Sequence, residues 1–199
     1  MKRKWVASLA ALLMLVSAGC RVRVDKDENG EEKNVKIDTP LGGLHVRSNG
    51  VTAADVGLPV YPGATIDSSE SNKAASVQLG FGEWQLRVKA VTYNSSDPQD
   101  KVVPFYQKAL GRYGDVIQCR AKRPVGTPTV TREGLDCSDE GKHGTKVDVS
   151  DDSQLELKAG SHHHQHIFAL KKGDNAGSQF SLIELQLPSG LDNDSKGSN

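Results

Sequence analysis

Residues 75–114 read ASVQLGFGEWQLRVKAVTYNSSDPQDKVVPFYQKALGRYG, and this stretch decides the fold. Ala75, Val77, Leu79 and Phe81 alternate with Ser76, Gln78 and Gly80, and Trp84, Leu86, Val88 and Ala90 repeat the pattern. A period of two makes one face of a strand apolar, so the two runs predict a hairpin turning at residues 80–83. Trp84 opens the inward face of the second strand and reads as a core residue. After Ser95-Ser96-Asp97 the period changes. Val102, Phe105, Tyr106, Ala109, Leu110 and Tyr113 fall on one helical stripe. Ser96 or Asp97 supplies the cap, and Pro98 at the first position loses nothing because its N–H would be unpaired anyway. Pro104 should kink or delay the helix, and Gly111 or Gly114 ends it.

Toward the N-terminus, residues 34–38 and 44–47 predict a second hairpin around the Thr39-Pro40-Leu41-Gly42-Gly43 turn. Thr52 caps a single helical turn that Gly57 ends. LPVYPGAT, residues 58–65, carries Pro59 and Pro62 and must be an edge strand or an ordered loop. Toward the C-terminus come a strand at 116–121, a loop rich in Pro, Gly and Thr at 122–134, and strands at 154–159, 165–171 and 178–187. GDNAG at 173–177 turns between the last two. Strands dominate and one good helix is inserted among them. The expected class is α+β: a single small domain over 34–187, mostly antiparallel sheet with one main amphipathic helix packed on it. The acidic run DKDENGEEK at 25–33 makes residues 20–33 a tether, and the polar stretch 188–199 a disordered tail.

The first twenty residues are MKRKWVASLAALLMLVSAGC. Lys2, Arg3 and Lys4 precede an uncharged stretch that ends in Ser17-Ala18-Gly19 before Cys20. This is the tripartite pattern of a secretory signal over 1–19, and its apolar part is too short for a comfortable span. The ending resembles a lipobox, with Ser17 where Leu is usual. The resemblance implies that Cys20 becomes the lipidated first residue and carries two or three palmitate-type acyl chains. The membrane is then a partner through that lipid, and stable anchoring needs more than one chain. Arg21 after the cysteine favours the periplasmic side of the outer membrane in envelopes like those of enteric bacteria.

The chain carries 25 basic and 25 acidic residues. Residues 1–19 hold three of the bases and no acid, so the rest is slightly acidic, which argues against a nucleic-acid partner. Cys119 and Cys137 remain as an even pair in an exported chain and read as a structural disulfide.

His162-His163-His164-Gln165-His166 is the only concentrated set of metal-type ligands. Neutral imidazole binds zinc, copper or nickel. In an extended chain His162, His164 and His166 share one face about 7 Å apart, so one ion would need the strand to bend or recruit His45, His143, Asp148, Asp151 or Asp152. Ala159-Gly160-Ser161 places the run at a strand-to-strand turn, where a solvated run without a ligand is the competing reading. No phosphate-binding loop, dinucleotide fingerprint or nucleophile elbow occurs.

GLPVYPGA at 57–64, followed by a hairpin and a capped helix ending FYQKALGRYG, resembles bacterial envelope lipoproteins to which no activity is assigned. The likeness covers residues 34–187 and implies no catalytic residue and no cofactor. The expected function is a non-enzymatic envelope module that binds an envelope protein or component, or supports envelope structure. Metal sequestration by the His run and a site assembled from distant residues are the alternatives.

Overall fold

A computed structural model describes residues 20–26, 32–48, 50–67, 69, 74–138, 155–171 and 177–188. The signal segment 1–19, most of the 173–177 turn, His143, Asp148, Asp151, Asp152 and nearly all of the tail lie outside them. The described residues form one antiparallel sheet: β1 (Arg21–Lys26), β2 (Glu32–Thr39), β3 (Gly42–Ser48), β4 (Thr65–Ile66), β5 (Ala75–Phe81), β6 (Trp84–Ser95), β7 (Val116–Arg120), β8 (Arg123–Pro124), β9 (Leu155–Ser161), β10 (His164–Leu170) and β11 (Ser178–Gln186). Helix α1 (Gln99–Leu110) connects β6 to β7. Strand order is β1-β2-β3-β5-β6-β11-β10-β9-β7-β8, with β4 on β6. This is a single α+β domain with one helix packed on the sheet.

Both expected hairpins form. β5 and β6 pair from Ala75 opposite Ala90 to Phe81 opposite Trp84, and β2 and β3 pair from Asn34 opposite Arg47 to Thr39 opposite Gly42. Beyond the hairpin β6 runs on to Ser95, and its other edge takes β11 from Arg87 opposite Gln186 to Ser95 opposite Ser178. The core lies between this half of the sheet and α1. Val91, Tyr93, Phe168, Leu170, Phe180 and Leu182 face the helix, which buries Val102, Tyr106 and Leu110. Tyr106 has no exposed surface. Its ring stacks on Phe168 at 4.7 Å, and its hydroxyl receives the Tyr61 N–H and donates to Pro59 O, both at 3.2 Å.

Three expectations need correcting. The sheet begins at Arg21, not at residue 34: β1 pairs with β2 from Arg21 opposite Asp38 to Lys26 opposite Glu32, and only 27–31 of the tether lie outside the described residues. Trp84 is not in the core. It sits at the first residue of β6 on the face of the sheet that α1 does not cover, and stays exposed beside Phe81. Pro98, rather than Ser96 or Asp97, holds the N-cap position and makes no side-chain cap bond. Asp97 instead receives the Tyr61 hydroxyl at 2.9 Å and the Lys101 ammonium at 3.0 Å, which ties the YPG loop to the start of the helix. Pro104 is accommodated because it lies on the exposed side, where water can satisfy the carbonyl it leaves free. The helix tightens into a 3-10 turn at Gly111–Tyr113 and stops at Gly114, whose φ of 121° suits glycine.

The Lys101 and Tyr61 hydrogen bonds hold the Asp97 carboxyl below its usual 3.8. A depressed carboxylate contributes stability above its unfolded value and loses it as pH falls through the folded one. Urea midpoints measured down to about pH 3 should fall less steeply in Asp97→Asn than in the parent.

Cys119 and Cys137 form the expected disulfide, with Cα atoms 5.6 Å apart and a sequence separation of 18. The bridge packs with Ile117 and Leu135 in a small cluster of its own. In the chain-entropy treatment a loop of that length contributes about 3 kcal/mol. Paired Cys119→Ser and Cys137→Ser changes should lower unfolding free energy by about that amount, measured by urea titration.

Candidate metal centre

The β10–β11 register decides which residues meet. His166 lies opposite Glu184, and His164 lies opposite Gln186. Side chains two apart share a face, so His164, His166 and Glu184 project on one side. One ligand atom from each lies within 4.8 Å of the other two. On the other flank of β11, Glu184 is opposite Lys89 of β6.

These residues share the face that packs on α1, but they lie past the end of the helix. The 3-10 turn and the 53–57 turn cover them instead. Tyr113 stacks on His166 with ring centres 3.6 Å apart and planes 15° from parallel. The Thr52 hydroxyl and N–H both donate to the Asp55 carboxylate, at 2.7 and 2.9 Å, and close a turn at 53–57 in place of the helical turn that Thr52 is expected to cap. Gly57 ends that turn at φ +76°, and any Cβ there would collide with the Tyr113 hydroxyl. That hydroxyl and the Arg112 guanidinium both donate to Gly57 O. The glycine of the GLPVYPGA segment therefore permits the lid over His166.

His166 is 4 % exposed. Its Nδ1 is 3.0 Å from Val56 O, and a carbonyl can only accept, so Nδ1 carries the proton and Nε2 keeps its lone pair. Burial lowers the pKa of His166 against the opposing effect of the Val56 bond, so the ring is neutral near pH 7. Glu184 feels burial pushing its pKa up, but hydrogen bonds from Lys89 and His164 outweigh it and hold the carboxyl below its usual value. Lys89 Nζ donates to Glu184 Oε2 at 2.7 Å and to Asp55 O at 2.8 Å. The other oxygen, Oε1, lies 3.0 Å from His164 Nε2. His164 is half exposed and leaves one side of the group open to solvent.

Two imidazoles and one carboxylate with an open side form a recognised donor set for zinc and related divalent ions. A tetrahedral ion with bonds near 2 Å places its ligand atoms roughly 3.3 Å apart, so the group must close by about 1.5 Å at its widest. The half-exposed His164 side chain is free to make that movement. Lys89 would keep Oε2 and orient the carboxylate, while the Val56 carbonyl orients His166, as outer partners of metal ligands do.

The expected ligand set is thereby revised. The histidines do sit at a strand turn, which falls at 162–163, but His162 turns away from the group toward Gly134. Glu184 takes its place. The run is not uniformly solvated either, because His166 is buried. His45 occupies the same face four strands away and is paired with Asp38 at 3.1 Å. Sequence reasoning missed Glu184, although a signal was present: it continues the Phe180, Leu182 alternation and puts a charge in an otherwise apolar stripe. Compared with protein-family models, curated proteins and solved structures, the chain matches none.

Proposed function

We propose that the chain is a lipid-anchored protein of the bacterial envelope whose domain binds a divalent transition metal as a non-enzymatic module. One observation carries the metal reading: His164, His166 and Glu184 converge, with His166 already held in the tautomer that presents Nε2. The export and lipobox pattern of residues 1–20 supports the envelope reading. The buried Cys119–Cys137 bridge fits the oxidising compartment beyond the inner membrane. The likeness to envelope lipoproteins in the GLPVYPGA and FYQKALGRYG segments points the same way. Zinc, copper and nickel all suit the donors, and the lone thiol at Cys20 is reserved for lipid.

Native mass spectrometry of the untagged full chain, isolated from bacterial envelopes, tests both halves at once. The expected species carries acyl mass at Cys20 and one divalent metal ion. A protein with acyl chains but no affinity for added zinc, copper or nickel would remove the metal half. A protein without acyl mass would remove the anchor half.

A further inference from the structure

The five strands β1, β2, β3, β5 and β6 form a sheet with two unlike faces. In register across them run Val22, Ile37, Leu44, Leu79 and Leu86. The next row on that face is all valine, from Val24 through to Val88. Not one of these side chains is buried, and Val22 is 58 % exposed. The row between them faces the other way and is polar: Arg23, Lys36, His45, Gln78 and Arg87.

The end row of the apolar face is aromatic. Thr39 is opposite Gly42, Phe81 lies against Gly42, and Phe81 is opposite Trp84. Phe81 is 52 % exposed and Trp84 37 %, with ring centres 6.0 Å apart. Leu41, at the tip of the adjoining turn, is 83 % exposed. Cys20 belongs to this same end, because it directly precedes Arg21, and Arg21 pairs with Asp38 next to Thr39. Four strand spacings, roughly 19 Å, separate its row position from Trp84.

We infer that this end and the apolar face behind it dock on the bilayer that receives the Cys20 lipid. The inference rests on the anchor half of the proposed function and is independent of the metal. With no tether between Cys20 and β1, acyl chains in the membrane hold the end row at the headgroup level. Tryptophan and phenylalanine are suited to that depth. The strands approach with their backbone groups already paired within the sheet, so contact with lipid orphans few of them. The polar row with Arg23, Lys36 and Arg87 faces away from the apolar contact.

Trp5 and Trp84 are the only two tryptophans. A full-length Trp5→Phe chain therefore reports from Trp84 alone, whether or not residues 1–19 are removed. The chain is reconstituted into phosphatidylethanolamine–phosphatidylglycerol vesicles, and its Cys20 mass is read in parallel. Docking predicts a blue-shifted Trp84 emission that brominated acyl chains in the vesicle lipid quench. Adding Phe81→Asp and Leu41→Asp should reverse the shift while the protein still floats with the vesicles. Water-like Trp84 emission in floating protein overturns the inference. A blue shift without bromolipid quenching also overturns it, and shows that a second copy or the protein's own acyl chains cover the face. If Cys20 proves to carry no lipid, the anchor reading fails separately. The same thiol is then coupled to a maleimide-headgroup phospholipid, and the two optical outcomes decide docking as before.

Discussion

Tyr106→Ala is expected to destabilise the domain by about 3–5 kcal/mol, the range for removing a fully buried aromatic side chain. The ring is the largest of the three α1 side chains buried against the sheet: it stacks on Phe168 and lies against Phe180 at 5.2 Å, with Phe105 of the helix at 5.1 Å. Removing it leaves a cavity that the surrounding rings can only partly close. The hydroxyl adds a separate part. Tyr106→Phe keeps the ring but orphans the buried Tyr61 N–H and takes the donor from the more exposed Pro59 carbonyl, and should cost about 1–2 kcal/mol. Urea unfolding of the two variants separates the packing loss from the hydrogen-bond loss. Equal destabilisation of both would mean that the loop contacts, not the stacked rings, hold the helix in place.

His166→Ala is expected to weaken zinc binding by about a hundredfold or more, because it removes a pre-oriented ligand and opens the Tyr113 lid. Glu184→Gln should weaken binding by a comparable factor, and it also frees the Lys89 ammonium from its carboxylate. His162→Ala and His163→Ala should leave affinity within about twofold, since neither belongs to the convergent group. Calorimetric titration gives all four values. Binding must also fall with acid, because metal and proton compete for the same imidazole lone pairs. The contrast between His162 and Glu184 matters most, because adjacency in sequence favours the first and strand register the second.

The sequence was most legible where one period held over a long run. The alternation in 75–90 and the helical stripe in 102–113 each produced the element they predicted, because that spacing gathers apolar side chains on one face of a strand or a helix. It was least legible where the outcome depended on a partner. Arg21-Val22-Arg23-Val24 alternates, but beside an acidic run its alternation is too short to distinguish a strand from a tether without β2, which supplies the opposing edge. Trp84 has the right parity for the apolar face, but parity does not say where cover ends. Glu184 was invisible as a ligand for a related reason. Its eighteen-residue distance from His166 is bridged only by the β10–β11 pairing. In each case local pattern fixed the face of a residue, and tertiary pairing fixed its neighbour.

X-ray absorption at the zinc edge of the zinc-loaded chain counts the donor atoms themselves. Two imidazole nitrogens and one carboxylate oxygen are expected at about 2.0–2.2 Å, with a water-type oxygen completing the shell. Loss of one imidazole is expected in His166→Ala. A shell of three or more imidazoles, unchanged by Glu184→Gln, would place the ion on the 162–164 turn and contradict the account.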